Sequence, residues 1–411
     1  MIVMKDSIIL FSHNIHAFMF HEVPFAAMTF KRVIVVAPEN QELSSVCCRY
    51  ENIRYEPIKA RWGFKECADA FTQIDKTVLS EVYQATANKL VTVDYLKNMM
   101  YYLRCKFVLN NICRKYIDDQ GDRWVIESMW LFATAYAISS IREDYKKATL
   151  VSLAHAFEID DTRNAQIDYS CLQFCHERLD YISFISKNKM NEYLINHVRR
   201  LGWREDNCHL DYLGTIKTDS ALSSPSGGMP FHIVTCGRCI ALKRLDLLIE
   251  ALKLVDTLRI KWTHIGDGDE FQKLREKSKS LPSNITVSWL GAMSNEKVHK
   301  FYAENDIDMV LNLSTTEGVS VSLMEALSYG IPIIATDVGG NSEVCDDTVG
   351  ILLPAAPSPD EVKTAVENIL SLSREDTLNI RRQANEKYKD RFDASRIRTS
   401  YYQKLKDICP L

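Results

Sequence analysis

From residue 231 to residue 336 the chain alternates short apolar runs with segments of helical period. FHIVTC reads as a strand. Arg244 to Val255 reads as a helix, with Leu247, Leu248, Ala251, Leu252 and Val255 on its apolar face. RIKWTHIG, ITVSWLG, DMVLNLS and PIIAT read as further strands. Helices over Phe271 to Ser278, Asn295 to Ala303 and Ser322 to Tyr329 separate them. Strands alternating with helices predict a parallel sheet covered on both faces, a doubly wound α/β domain.

The chain has 411 residues, more than one ordinary core accommodates, and two domains are expected. In the first half SIILFS, KRVIVVAP, WVIESMWLF, ATLVSLAH and YISFIS are short apolar runs suited to strands buried on both faces. Lys76 to Tyr116 reads as mostly helical, and Met129 to Ile141 as a buried helix. Ser, Gly and Pro cluster in SALSSPSGGMP. The expected division is therefore a first Rossmann-like domain over 1–217, a linker over 218–230 and a second domain from 231. From Pro359 onward the chain reads as charged amphipathic helices.

With 46% hydrophobic and 25% charged residues the chain is expected to fold. The net charge of -4 provides no electrostatic case for nucleic acid. The opening MIVMKDSIILFSHN lacks the basic start and cleavage site of a signal peptide, and no apolar stretch reaches the ~18 residues that span a bilayer. A cytoplasmic protein whose twelve cysteines are mostly free thiols is the expectation. Cys236 and Cys239 form a C-x-x-C without a second ligand pair, so they read as small residues flanking a functional arginine rather than a metal or redox site.

Three loops after strands of the second half carry unusual chemistry. In GRCIALKR, Arg238 and Lys243 stand between a strand and a helix, and together they offer planar and point-charge donors to a pyrophosphate. In HIGDGDEF, Gly266 and Gly268 let backbone approach a ligand, although Phe271 stands where a dinucleotide fingerprint needs a third glycine. In STTEGVSVSLMEALSYG, Glu317 precedes a helix and Glu325 lies on it. Between them Gly318, Val319, Ser320, Val321 and Ser322 present backbone N–H groups at a helix start, an anion site. Glu325 has a competing reading, because Ser322 to Glu325 also fits a capping box. Asp267 and Asp269 flank Gly268 in a helix-entry turn and are not assigned to a metal.

Taken together, Gly237 to Glu343 resembles the donor half of glycosyltransferase family 4, the large retaining GT-B family. The resemblance lies in the Arg and Lys after the first strand, the GDG turn, the WLG segment, and the Glu-x7-Glu followed by EALSYGIPIIATDVGG. FMFHEVPFAAMTFKRVIVVAP resembles the opening of members that build cell-surface polysaccharides. LVSLAHAFEID resembles a segment that would make His155 the active-site histidine. Leu153, Ala156 and Glu158 depart from that segment, and Ser320 departs from the signature.

The resemblance implies a GT-B fold, two Rossmann-like domains facing a cleft, with the acceptor on the first. The donor domain would cover 231–388, and 389–411 would form a last helix packing back on the first domain. It implies transfer of a sugar from a nucleoside diphosphate, most commonly uridine diphosphate, with retention and without metal or other cofactor. Arg238 and Lys243 would stabilise the departing diphosphate, assisted by N–H groups near Val319 and Ser320. Glu317 would face the donor sugar, Glu325 would hold the ribose, and His155 would reach toward the sugar. The acceptor would be a glycan or a lipid-linked sugar in polysaccharide or lipopolysaccharide assembly. Peripheral contact with the inner face of the cytoplasmic membrane, through the basic and aromatic run Lys89 to Lys115, competes with a plain solvated helix face. The alternative readings are a GT-B epimerase and a non-catalytic protein that only binds sugar nucleotides.

Overall fold

The computed structural model describes residues 6–14, 17–59, 64–74, 76–87, 93–117, 122–155, 159, 169–218 and 221–409. The chain divides into two compact units. The first is Met1–Ile185, Lys189–Asp211 and Arg398–Leu411; the second is Ser186–Asn188 and Tyr212–Ile397.

The first unit is built on seven strands: β1 (Asp6–Phe11), β2 (Arg32–Pro38), β3 (Ile53–Ile58), β4 (Arg123–Ser128), β5 (Thr149–Ala154), β6 (Tyr181–Phe184) and β7 (Cys208–Leu210). They form one parallel sheet in the order β3-β2-β1-β4-β5-β6-β7. Every residue of β1 and β5 is buried, as apolar runs covered by helices on both faces require. β3 and β7 escape the sequence reading. β3 is an edge strand interrupted by Arg54, Glu56 and Pro57, and β7 has only three residues, so neither forms an apolar run.

Helix α1 (Ala17–Thr29) follows β1. Helix α2 (Val93–Tyr116) lays Met99, Tyr102, Leu103, Cys105, Leu109 and Cys113 into the core, and Lys106 is buried with them. Met99 and Tyr102 of the basic and aromatic run Lys89 to Lys115 thus serve packing; residues 89–92 of that run lie outside the described residues. Helix α3 (Ala133–Ser140) is the buried helix expected there.

The chain's last helix, Ala394–Ile408, supplies the first unit with Arg398, Tyr401 and Tyr402. The fully buried Arg398 guanidinium donates to Glu22 Oε2 at 2.6 and 3.0 Å, and Tyr402 donates to the same oxygen at 2.7 Å. Tyr401 donates to the buried Glu127 at 2.7 Å.

The second unit carries β8 (Phe231–Cys236), β9 (Ile260–Ile265), β10 (Ile285–Trp289), β11 (Met309–Asn312), β12 (Ile333–Thr336) and β13 (Gly350–Leu353). All are parallel, in the order β10-β9-β8-β11-β12-β13. Helices α4 (Leu245–Lys253), α5 (Phe271–Ser278), α6 (Asn295–Glu304) and α7 (Val321–Ser328) connect them, and two apolar clusters form the cores on the sheet's two faces. The doubly wound reading of 231–336 is what the structure shows.

Two details differ from expectation. The Ser/Gly/Pro segment is built into the second unit: Ser223 Oγ donates to Asn305 O at 2.9 Å, and the Ser226 N–H to Asp308 at 3.0 Å. Residues 219 and 220 of that segment lie outside the described ones. Arg244 does not begin α4. It stands in the left-handed region at φ 48°, with its guanidinium donating to the carbonyls of Leu313, Ser314 and Ala355 at 2.5–2.9 Å. Two of those bonds hold the chain just past β11 and the third the chain just past β13, and together they offset a backbone conformation that non-glycine residues avoid. Among the described residues no helix is long and apolar enough to cross a membrane.

Candidate functional site

In the second sheet the strand order reverses between β8 and β11, and ligands of open parallel sheets bind at the carboxyl ends beside such a reversal. The three loops of unusual composition leave β8, β9 and β11 at that end.

The β8 loop rests on the β9 loop. A Cβ on Gly266 would lie 1.8 Å from the Gly237 carbonyl oxygen, and one on Gly268 would lie 2.6 Å from that of Cys239. Both glycines also have positive φ. The Cys239 N–H donates to Asp267 O at 2.9 Å and the Glu270 N–H to Cys239 O at 2.9 Å. Gly266 and Gly268 therefore act by letting two loops touch, which places Arg238. Arg238 is exposed and has no acceptor among the described residues. Lys243 closes the short turn Ala241–Lys243, and the two cations line one pocket together with Thr235, Cys236 and Asn312.

Lys243 makes an ion pair with Glu317. Asn312 Nδ2 at 3.0 Å and Ser314 Oγ at 2.8 Å donate to the same carboxylate oxygen, Oε1. Burial alone would raise the Glu317 carboxyl. The Lys243 ammonium and these hydrogen bonds outweigh burial and hold it below the ordinary range. A Cβ on Gly339 would stand 1.8 Å from Glu317 O, and one on Gly340 2.3 Å from Gly318 O, so the Val338-Gly-Gly turn is the floor beneath Glu317 and Gly318.

Helix α7 starts on Ser320, whose hydroxyl makes no cap to the helix and instead accepts from Asn312 Nδ2 at 2.8 Å. The N–H groups of Val321 and Ser322 have no acceptor among the described residues. Val319 is half-buried and Val321 exposed at this open end. The capping-box reading of Ser322 and Glu325 is not realised, because the helix begins two residues earlier, with Ser320 as its cap, and Glu325 is buried.

Glu325 is buried at 4% exposure. Asn295 Nδ2 donates to its Oε1 at 2.5 Å, and His299 Nε2 stands 3.8 Å from the same oxygen. Burial pushes this carboxyl up to about 7, opposed by the Asn295 hydrogen bond. Free in the unfolded chain it titrates near 4.5. Between those values the unfolded state has lost the proton while the folded state keeps it. Stability thus falls as pH rises through that window, and the penalty is complete above about 7. Glu325→Gln is expected to melt higher than the parent at pH 8, by up to about 3 kcal/mol, with the gap closing toward pH 4.5. Melting curves across pH 4.5–8 measure this, and a gap independent of pH would contradict the assignment.

The C-x-x-C forms no disulfide. Burial pushes the Cys236 thiol up to about 12 and the Cys239 thiol up to about 11, so neither provides a thiolate. Cys239 Sγ lies 3.1 Å from His264 Nε2, and burial lowers that imidazole to about 4. Among the described residues no cluster of His, Cys, Asp or Glu is able to hold a metal ion. Asp267 turns back to its neighbour, accepting from the Gly268 N–H at 2.7 Å.

His155 belongs to the first unit, at the end of β5. It is buried, with Nε2 3.1 Å from Met129 O and its ring 4.4 Å from that of Trp130. Ala156 and Glu158 lie outside the described residues. That unit has its own pocket at the ends of β1, β2 and β3, where Phe11, Pro38 and Ile58 meet His13, Tyr101 and Arg104.

Sequence reasoning missed Asn312, Ser314, Asn295, His299 and Glu343. Glu343 accepts from Ser186 Oγ at 2.6 Å, Tyr212 OH at 2.6 Å and the N–H groups of Lys187 and Asn188 at 2.8 and 3.0 Å. Only Asn312 carried a signal, as the polar last residue of an apolar strand.

Residues 219–389 match the family model described as Glycosyl transferases group 1. The match covers less than half of the chain. A phosphatidylinositol N-acetylglucosaminyltransferase component of Arabidopsis thaliana is 31% identical over 160 residues, 38% of this chain and 35% of that protein. The GtfA component of the UDP-N-acetylglucosamine–peptide N-acetylglucosaminyltransferase of Streptococcus agalactiae is 30% identical over 141 residues, 33% of this chain and 27% of that protein. The matched segments thus span about a third of these relatives' own lengths. Among solved structures, Anabaena Alr3699/HepE in complex with UDP has a TM-score of 0.69 at 15% identity, covering 98% of this chain and 100% of that one. At that identity the likeness is one of fold, two Rossmann-like α/β units of the GT-B kind. The family match and the relatives' names support a glycosyltransferase.

Proposed function

We propose that this protein is a retaining glycosyltransferase of family 4 that moves a sugar from a uridine diphosphate donor to a glycan or lipid-linked acceptor. The observation that carries the reading is the grouping of Arg238 and Lys243 in one pocket of the second unit, with the open start of α7 and the buried Glu325 on neighbouring elements of that unit. Two cations and unpaired N–H groups suit a diphosphate. Positive charge fixed before the reaction favours the state in which the sugar–phosphate bond has broken and the electron pair rests on the diphosphate, with no divalent ion or other cofactor required. Glu317, anchored through Oε1, is assigned to the donor sugar, and Glu325 to the ribose.

N-acetylglucosamine is the sugar proposed first, because both curated relatives named above carry it in their names. The pocket lined by His13, Tyr101 and Arg104 is assigned to the acceptor, and His155 to the donor sugar. Polysaccharide or lipopolysaccharide assembly on the cytoplasmic face of a membrane fits this chemistry. Peripheral contact there is supported by the exposed Phe71, Ile74, Leu79, Tyr83 and Leu96 of the first unit.

Titration calorimetry of the purified chain with UDP-N-acetylglucosamine, with and without a metal chelator, tests the reading. Binding that survives the chelator, together with slow release of UDP, is the expected result. Binding without UDP release or transfer favours a non-catalytic binding protein. Release of a free isomerised sugar favours an epimerase. No binding of any nucleotide sugar refutes the donor site.

A further inference from the structure

Helix α6 faces α7 through a polar seam. Asn295, His299 and Tyr302 recur at helical spacing on α6, and Glu325 and Tyr329 do so at the end of α7. Asn295 Nδ2 sits 2.5 Å from Glu325 Oε1, and His299 Nδ1 lies 3.2 Å from the Tyr329 hydroxyl. The Asn295 amide reaches Oε1 of the Glu325 carboxylate and not Oε2. Asn295 itself is exposed on the first turn of α6, so its side chain contributes little to the core.

We infer that Asn295 is a positioning residue for Glu325: its amide holds Oε1 and orients the carboxylate so that Oε2 accepts from a ribose hydroxyl of the bound nucleotide. This rests on the donor reading above. A hydrogen bond to a carboxylate stabilises its charged form, which is the stronger acceptor for a ribose hydroxyl. Asn295 therefore acts on nucleotide affinity through the charge and orientation of Glu325, without touching the ligand.

Among the described residues, the other groups facing Glu325 are the Cys236 thiol from the end of β8, and His299 and Tyr302 from α6. Burial pushes Cys236 up to about 12, and Tyr302 is held well above its ordinary value, so both stay neutral between pH 5 and 9. His299 is the imidazole of that set, and its substitution tests whether the profile depends on it.

The test is the affinity of UDP-, GDP- and ADP-glucose measured by calorimetry from pH 5 to 9. These diesters do not titrate in that range, so the profile reports the protein. In the parent chain affinity rises with pH around a midpoint near 7, set by Glu325. Asn295→Ala should move that midpoint up by about one pH unit, which is roughly the worth of a hydrogen bond to a charged group. Asn295→Asp should move it further, since two adjacent carboxyls share a proton. His299→Gln should leave a midpoint in place. An unmoved midpoint in both Asn295 variants, with the parent binding normally, overturns the role of Asn295 and leaves the donor site standing. Loss of the pH dependence in His299→Gln overturns it as well. A parent chain that binds none of the three nucleotides refutes the donor reading, and this inference with it.

Discussion

Lys243→Ala is expected to lower the rate of sugar transfer roughly 100- to 1,000-fold, the usual worth of one preorganised charge at a developing anion. Donor affinity should fall at least about tenfold in the same variant. The ammonium has two tasks. It would face the departing diphosphate from the pocket it shares with Arg238, and it is the ion-pair partner of Glu317. Without it, Glu317 keeps only the hydrogen bonds from Asn312 and Ser314, and burial then pulls its carboxyl upward.

A pH signature follows. In the parent, Glu317 titrates lower folded than unfolded, so its pairing stabilises the fold above the unfolded value of 4.5 and is lost as pH falls through the lowered one. Lys243→Ala should flatten that acid limb. Steady-state transfer assays and acid titration of the fold check both statements on one variant. Transfer and affinity within twofold of the parent would move the diphosphate elsewhere.

The second large effect concerns stability. Arg398→Met should cost about 3–5 kcal/mol, the loss typical of removing one partner of a buried ion pair. Arg398 is fully buried, donates twice to Glu22 and lies 3.8 Å over the Tyr401 ring. Its removal leaves the buried Glu22 without its cation, with the Tyr402 hydroxyl still donating to it. Glu127 would also rise further from about 7, because burial and Glu22 push it up and Arg398 opposes them. Urea denaturation at pH 7 measures the loss. The double variant Arg398→Met, Glu22→Gln should lose clearly less than the two single losses added together, since the uncompensated charge is gone. Strict additivity would mean that the pair is not coupled.

How much of this was legible depended on the element. The strands of the second sheet apart from β13, and the apolar stripe of α4, follow from side-chain periodicity, which is local and leaves its mark on any sufficiently long run. β3, β7 and β13 did not, because edge position and short length remove the pattern. The Arg238, Lys243 and Glu317 grouping was readable because each residue sits in a loop with unusual composition after a strand, and parallel topology brings such loops to one end of the sheet.

The partners of those residues were not readable. Asn295 lies 30 positions from Glu325, and Asn312 reaches both Glu317 and Ser320 across a turn. Asparagine and serine occur in loops of every kind, so composition does not distinguish a solvated one from one aimed at a carboxylate. Arg244 looked like the first residue of a helix and is a left-handed staple on three carbonyls. By itself the sequence determined the α/β class, the second sheet's alternation and the charged residues gathered at one end of that sheet, because each depends on spacing along the chain. Only the tertiary structure decided which neighbours set the protonation of Glu317 and Glu325, and that Arg398 of the last helix pairs with Glu22 inside the first unit. Those outcomes depend on burial and on distances between residues far apart in sequence.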